Sequence, residues 1–400
     1  MAMTAKQDLS TTWIDRPEQL WTLRDEWQDL AARTGAEVYM RPAWMRVWWD
    51  HFGVGRKLAC LVMRDGGRLA GLLPFCIERI WCGPVPLRIA RLAGTDPHCM
   101  VFQLPVEPDV AEPALRHAVA HLTRRLGCHA VSFTPVSDLA VHLPLLRAMG
   151  RDMPGLALHE APEGGHAIFD LPGDFGAWLG NLSKKRRNQF PRDLRNLRDR
   201  YAMEGATVTP DGDAFAAFAA FHDRQWQAQD RGGHFTDWPG SLAFYRDLAD
   251  HLTEEPPIRL FDLAGRAGPL ATQFALVTDR TAHWRLPART LDPEAERLSI
   301  GKVGLILMIE ALIAAGITRI EAGRGDYDYK LSYGGRSVPV QRLLIHPVAR
   351  AGRVRLMLAW ADLLHLVYYR IWFLRLAPRM RRWFDRRPRS LWRPWIRTRF

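Results

Sequence analysis

The segment Gly323–Lys330 reads Gly-Arg-Gly-Asp-Tyr-Asp-Tyr-Lys and directly follows a predicted strand. Asp326 could act as a general base, Tyr327 and Tyr329 could donate hydrogen bonds, and Lys330 could stabilise developing negative charge. The alternative is a hydrated turn with a local Asp–Lys ion pair, which contributes little to stability. The composition of the segment favours a catalytic loop.

A second segment, Ser299–Gly304, reads Ser-Ile-Gly-Lys-Val-Gly and lies between a predicted strand and a predicted helix over Val303–Ala315. Small residues let backbone amides approach a ligand, and a helix N-terminus concentrates donors and partial positive charge. The glycine spacing matches neither a P-loop nor a dinucleotide fingerprint. We predict an anion site here, such as one for a pyrophosphate, with a plain helix start capped by Ser299 as an equal alternative. The residues assigned to it are Ser299, Gly301, Lys302 and Gly304.

The third segment is the basic run Lys184-Lys185-Arg186-Arg187, which opens a charged helical stretch. Pro191 predicts a break of this stretch into two helical pieces. A solvated helix face is the ordinary interpretation of such a run. The functional interpretation is that Lys184, Arg186 and Arg187 face a phosphate on a substrate or cofactor.

Other kinds of site find little support. The sequence contains no Gly-x-Ser-x-Gly nucleophile elbow. His117 and His121 have helical spacing but no third ligand, so no metal site is predicted. The five cysteines are odd in number and form no Cys-x-x-Cys pair, which argues against a disulfide scaffold and favours a reducing compartment.

A folded scaffold must position these candidate site segments. The two halves of the chain have the same order of predicted elements, namely hairpin, strand, helix and strand. The turns are Arg64–Gly67 in the first half and Gly265–Gly268 in the second. We predict a mixed α/β (α+β) fold with two related domains, residues 1–165 and 166–348, and a helical amphipathic tail, residues 349–400.

The net charge of +12 on 400 residues is concentrated in the tail. Residues 351–400 contain thirteen arginines, no lysine and two aspartates, so the rest of the chain is nearly neutral. Asp362, His365 and Arg370 interrupt the apolar part of the tail, which disfavours a spanning helix. Beyond it, arginine alternates with tryptophan, which predicts a peripheral anchor on an anionic membrane. The alternatives are stacking on single-stranded nucleic acid and a helix docked on the body.

Residues 170–346 resemble the CelD/BcsL branch of the GNAT acyltransferase superfamily, a branch that is also similar to Fem-type aminoacyltransferases. Four ordered pieces carry the resemblance. They are Asp170-Leu171-Pro172 and Phe175–Leu182 before Ser183–Arg187; Gly268–Ala271 in the strand pair; Ser299-Ile300-Gly301; and Arg324-Gly325-Asp326-x-x-Tyr329-Lys330, followed by Tyr333-Gly334.

The resemblance implies tandem GNAT-like acyl-CoA N-acyltransferase domains and an enzyme that transfers an acyl group from acetyl-CoA to an amine or hydroxyl, without a metal. It places Ser299–Gly304 at the donor pyrophosphate and Lys330 near the reacting carbonyl or phosphates. It also implies a role in cellulose or exopolysaccharide production.

Direct attack on a thioester needs a base and oxyanion donors. Asp326 is the first candidate base, and Glu321, which ends the adjacent strand, is the second. Tyr329 and Lys330 are the oxyanion or phosphate candidates. Arg324 and Tyr327 join the basic run as substrate-binding candidates.

Two other functions stay open. One is a Fem-like aminoacyltransferase whose basic tail and basic run hold aminoacyl-tRNA phosphates. The other is a non-catalytic scaffold in a membrane polysaccharide-synthesis complex. The expected acceptor is a small molecule or a glycan- or lipid-linked molecule, with nucleic acid expected only as tRNA. The expected location is the cytoplasm, at the periphery of the inner membrane, and the oligomeric state is left open.

Overall fold

The computed structural model describes residues 9–95, 99–100, 102–228, 233–237, 240–251, 258–376 and 379. The chain divides into two compact units, Met1–Gly164 with Pro339–Phe400, and Gly165–Val338. The C-terminal segment is therefore grouped with the first unit. The division into domains at 165 and 348 stays a prediction.

The helices and strands of the described residues have the following bounds. The strands are β1 (Leu9–Ile14), β2 (Lys57–Asp65), β3 (Arg68–Cys82), β4 (Val85–Leu92), β5 (Ala130–Ser132), β6 (Val136–Ser137), β7 (Leu156–Asp170), β8 (Glu204–Val208), β9 (Ile258–Gly265), β10 (Gly268–Thr278), β11 (Thr281–Arg289), β12 (Arg319–Arg324) and β13 (Arg336–Pro347). The helices are α1 (Pro17–Trp21), α2 (Arg24–Thr34), α3 (Pro42–Phe52), α4 (Pro108–Ala120), α5 (Leu143–Asp152), α6 (Phe175–Gly180), α7 (Lys184–Tyr201), α8 (Gly212–Gln227), α9 (His234–Asp237), α10 (Ser241–His251), α11 (Pro293–Arg297), α12 (Ile300–Ala314), α13 (Asp328–Leu331) and α14 (Ala351–Leu364). Short 3-10 turns lie at Val38–Met40 and Val348–Arg350, and π-helical segments at His121–Arg125 and His365–Leu376.

The first unit is built on the strand order β1-β2-β3-β4-β5-β13. Its pairs are antiparallel except for the parallel pair β4–β5. The hairpin predicted at Arg64–Gly67 is present, because Gly66 and Gly67 adopt φ values of 55° and 84° that a tight hairpin turn requires.

Helix α14 packs on the first unit through a helical stripe of apolar side chains. Val354, Met357, Leu358 and Ala361 are buried in a cluster with strand residues such as Ile80. The described part of the tail is thus a helix docked on the body. The Arg- and Trp-rich end, residues 380–400, lies outside the described residues. No helix in the part of the chain that the structure describes is both long and apolar enough to span a bilayer.

The second unit has the strand order β7-β12-β11-β10-β9-β8. Within it β11 and β12 are parallel, whereas the other pairs are antiparallel. Helix α12 is apolar along most of its length, and Val303, Ile306 and Ile309 enter the core of this unit. A helix that is apolar on most sides must be covered on most sides, and α12 contacts both the sheet and α7.

Two local predictions were wrong. Helix α7 runs unbroken from Lys184 to Tyr201 with Pro191 inside it, because burial of Phe190 and Leu197 outweighs one lost backbone hydrogen bond. Helix α12 starts at Ile300 rather than Val303, so the glycines expected in a loop lie in its first turns.

Candidate active site

The parallel strands β11 and β12 pair only briefly and then separate. Their ladder joins Thr281 to Arg319 and ends at the pair His283 and Glu321. At this level β11 contains a bulge, since Trp284 pairs with Ala275 while Leu286 pairs with the preceding residue of β10. Bulges of this kind re-aim side chains and occur often beside active sites. We call the place beyond His283 and Glu321, where the two strands no longer pair, the gap.

Lys330 reaches into this gap from α13. Its Nζ donates hydrogen bonds to the carbonyl oxygens of Ala322, at 2.6 Å, and Gly325, at 3.0 Å. It lies 5.9 Å from the ring centre of Trp284 on β11 and 5.3 Å from that of Tyr327. Because an ammonium carries three donors, one remains for a ligand or for these rings. The side chain is 5% exposed, and this burial lowers the pKa of Lys330 to about 8, against the opposing charges of Glu321 and Asp326.

Glu321 lies beneath the gap and is fully buried. Its Oε1 is 3.2 Å from His166 Nδ1 and accepts the backbone N–H of Gly323 at 2.8 Å, while its Oε2 is 3.7 Å from His283 Nδ1. Burial alone would raise the pKa of Glu321, but the hydrogen bond with His166 and the nearby His283 lower it to about 2. A buried carboxylate of this kind is ionised at neutral pH and fixes the neighbouring backbone.

Sequence reasoning missed the two histidines of this network. The signal is weak, because each is a single histidine inside a strand with apolar neighbours, His166 before Ala167 and His283 after Ala282. Only the pairing of β12 with both β7 and β11 brings them to opposite sides of Glu321.

The remaining residues of the Gly323–Lys330 loop divide into two groups. Tyr327 and Tyr329 stack with ring centres 6.1 Å apart, and the ring of Tyr329 lies edge-on to Trp284 at 6.2 Å. Both tyrosines therefore belong to the group of side chains around Lys330. Tyr329 is 42% exposed, but partial desolvation and the neighbouring Tyr327 raise its pKa to about 12, so its hydroxyl keeps its proton at neutral pH. Arg324 is half-buried at the end of β12.

Asp326, in contrast, is exposed and accepts a hydrogen bond of 2.6 Å from Ser337 Oγ. That hydrogen bond lowers the pKa of Asp326, and the backbone amide of Asp326 and the charge of Lys330 lower it further. The carboxylate is therefore ionised and weakly basic, which fits a proton acceptor that works through water better than one that holds a proton.

The start of α12 forms a second part of the site. Ser299 has left-handed backbone angles, φ 58° and ψ 37°, which are strained for a residue other than glycine. Its hydroxyl does not cap the helix; instead Gln189 Nε2 donates to it at 3.5 Å. The interpretation as a helix start capped by the Ser299 side chain is therefore wrong, whereas the Ser299 carbonyl accepts the amides of Lys302 and Val303.

Residues from α7 and α12 line a shallow pocket at this helix start. Its polar lining consists of Arg186, Gln189, Asp193, Ser299 and Lys302, with Tyr333 beside them, and Gln189 donates a hydrogen bond to the Asp193 carboxylate at 3.0 Å. The Arg186 guanidinium lies 4.4 Å over the ring of Tyr333. The structure thus brings Arg186 of the basic run to the predicted anion site.

Other predicted residues lie elsewhere. Lys184 is exposed, and Arg187 donates to the carbonyl of Gly180. Gly301 lies against Arg289, where an added Cβ would be 3.2 Å from Cδ. Gly304 faces the sheet, where an added Cβ would be 3.0 Å from Gln273 Nε2.

Gly304 nevertheless affects the surroundings of Lys330 through Gln273 and Trp284. Gln273 Oε1 accepts the indole N–H of Trp284 at 3.0 Å, and Trp284 is the ring beside Lys330. The missing side chain at position 304 lets α12 approach β10 closely enough to leave this contact intact. Among the described residues, no group of three or more His, Cys, Asp or Glu side chains is arranged to hold a metal ion.

Residues 184–331 match the sequence family described as an acetyltransferase (GNAT) domain, and no curated protein gives a match. The predicted mixed α/β fold with a GNAT-like domain is confirmed. The CelD/BcsL type stays a resemblance.

Three solved structures are similar over most of the chain. The crystal structure of FemX has a TM-score of 0.59 at 9% identity and covers 90% of this chain and 99% of its own. The C-terminal domain (DUF2156) of a putative lysylphosphatidylglycerol synthetase from Agrobacterium fabrum has a TM-score of 0.50 at 12% identity, with coverages of 86% and 96%. L-PGS from Bacillus licheniformis has a TM-score of 0.50 at 11% identity, with coverages of 84% and 95%. At these identities the likeness concerns the fold alone.

Proposed function

We propose that the protein transfers an acyl group, foremost acetyl, from a CoA thioester to an amine or hydroxyl. The observation that carries this proposal is the buried ammonium of Lys330 in the gap where β11 and β12 separate. A cation fixed by two carbonyl oxygens in a poorly hydrated gap is suited to the negative charge that develops on a thioester carbonyl.

The donor would bind along this gap and end at the start of α12. A pyrophosphate bound here would meet the amide hydrogens of the helix N-terminus. It would also meet two cations, Lys302 and Arg186. Backbone groups at a strand edge that pair with no other strand can form hydrogen bonds with an extended chain that contains amides. The pantetheine arm of CoA is such a chain. Both parts of the donor thus have complementary groups on one unit.

The chemistry would proceed by direct attack. The nucleophile forms a bond to the thioester carbonyl carbon, and the carbonyl oxygen gains the negative charge, which Lys330 and the Tyr329 hydroxyl stabilise. Collapse breaks the C–S bond and releases the CoA thiolate. The proton of the nucleophile passes through water to Asp326 and from there to solvent. Glu321 is buried and acts by positioning the loop.

Lys302→Glu tests the donor site. Reversing this charge at the start of α12 should weaken CoA binding by at least about tenfold, since an anionic side chain would face the pyrophosphate. Isothermal calorimetry measures the affinity. Arg266→Glu, an equal charge change in the exposed turn between β9 and β10, should leave it unchanged. Equal affinities for the two variants would contradict the assignment.

Asp326→Asn tests the proton acceptor. We expect kcat to fall by about 10²-fold with little change in CoA affinity, because the amide keeps the Ser337 contact but accepts no proton. The assay follows thiol release from acetyl-CoA with the best acceptor from a panel of amines and glycans. An unchanged kcat would show that Asp326 is not the proton acceptor and is only part of the loop structure.

A second candidate function is aminoacyl transfer from tRNA. The observation that favours it is the exposed basic side of α7, which carries Lys184, Lys185, Arg187, Arg195 and Arg198 and could bind nucleic-acid phosphates. Tight, salt-sensitive binding of aminoacyl-tRNA together with no binding of CoA would favour this function.

The finer parts of the proposal rest on the resemblance alone. They are an acceptor from polysaccharide or envelope synthesis, a cytoplasmic location and a link to cellulose or exopolysaccharide production. A non-catalytic scaffold would bind neither donor.

A further inference from the structure

The outer face of α14 and its π-helical continuation carries both aliphatic and charged side chains. The inner face buries Val354, Met357, Leu358, Ala361 and Tyr368. The outer face exposes large aliphatic side chains, each between 39% and 53% accessible: Leu356, Leu363, Leu366, Val367, Ile371, Leu374 and Leu376. We call these seven side chains the outer stripe.

The outer stripe differs from the rest of the described surface. Other exposed large apolar side chains of the described residues are single ones such as Val54, Trp81 and Val141, which are ordinary, or belong to the group Tyr327, Tyr329 and Leu331 beside Lys330. Half of all such side chains among the described residues lie between positions 348 and 376. A concentrated apolar stripe on a helix that is already docked through its other face indicates a second partner.

The charge beside the stripe indicates what that partner is. Arg353, Arg355, Arg370 and Arg375 are exposed on the same helical segment. The acidic residue within it, Asp362, lies 3.4 Å from Arg342. The chain from 351 to 400 carries thirteen arginines against two aspartates. An anionic and apolar partner would complement this surface.

We propose that the outer stripe binds the surface of an anionic lipid bilayer. Its aliphatic side chains would enter the acyl boundary, while the arginines contact headgroup phosphates. Nucleic acid fits less well, because Leu, Ile and Val offer no ring on which bases could stack. The proposal is independent of the acyl-transfer reaction.

Cosedimentation of the full chain with phosphatidylcholine vesicles, with and without phosphatidylglycerol, tests this proposal. The wild type should pellet with the anionic vesicles only, and high salt should release it because the attraction is screened. The double variant Leu363→Glu, Val367→Glu should bind at least about tenfold more weakly, since it places two carboxylates in the stripe.

A matched control is Val54→Glu, Val141→Glu, which makes the same charge change at two exposed valines of the same unit, 81% and 65% accessible. It should bind like the wild type. The proposal is overturned if the wild type stays in the supernatant, if it binds neutral vesicles equally well, or if the stripe variant binds like the control. Light scattering that shows a wild-type dimer and a stripe-variant monomer, with no vesicle binding by either, would assign the stripe to a second copy of the chain.

Discussion

Replacing Lys330 by methionine should lower kcat by about 10²–10³-fold, the effect expected when a donor to a developing oxyanion is lost. Methionine has a similar length and no charge, so it keeps the packing against Trp284 but removes the ammonium. The affinity for CoA should change much less, because the proposed pyrophosphate site lies at the start of α12. Thiol release gives kcat and calorimetry gives the affinity. A kcat within twofold of the wild type would contradict the role of Lys330.

The pH dependence sharpens this prediction. Burial lowers the pKa of Lys330 to about 8, so the side chain is charged below that pH and neutral above it. If the charge is needed, the wild-type rate should fall as pH rises through about 8. Lys330→Arg keeps its charge at high pH, so its lower rate should lack that alkaline fall. The same alkaline fall in both proteins would assign it to another group.

The largest effect on stability is expected for Glu321→Ala. Removing a buried carboxylate that binds His166 and the Gly323 amide should cost about 3–5 kcal/mol, because polar partners are left buried without it. Glu321→Gln keeps an acceptor oxygen and should lose less. Urea unfolding measures the difference, and Glu204→Ala, at an exposed position on β8, should stay within about 0.5 kcal/mol of the wild type.

The sign of the acid dependence follows from the lowered pKa of Glu321. The carboxyl has a pKa of about 2 in the folded protein against an ordinary value of 4.5. Its contribution is therefore fully present above pH 4.5 and is lost as pH falls towards 2. Over that window the wild type should lose more stability than Glu321→Gln. Equal losses would show that the network does not stabilise the ionised carboxylate.

The sequence allowed the order hairpin, strand, helix, strand to be predicted in both halves, because glycine turns and apolar periodicity are local signals, but it did not indicate β1, β7 or β8. It also indicated the Gly323–Lys330 loop and the start of α12. In contrast, the unbroken α7 depends on tertiary burial of Phe190, which overrides the local effect of Pro191.

Within the site, the contacts between segments that are distant in the sequence could not be predicted. His166 and His283 become partners of Glu321 only through the sheet, and the bulge of β11 has no residue signature. The basic run shows the same limit, because the helical phase of α7 decides that Arg186 meets Ser299 and Lys302 while Lys184 and Arg187 point elsewhere.

The central claim, that the second unit holds a CoA thioester, is tested most directly by native mass spectrometry of the full chain incubated with excess acetyl-CoA. We predict one bound CoA or acetyl-CoA per chain in the wild type and in Arg266→Glu, and loss of this species in Lys302→Glu. A wild-type chain that retains no CoA under these conditions, or that carries tRNA instead, would contradict the account.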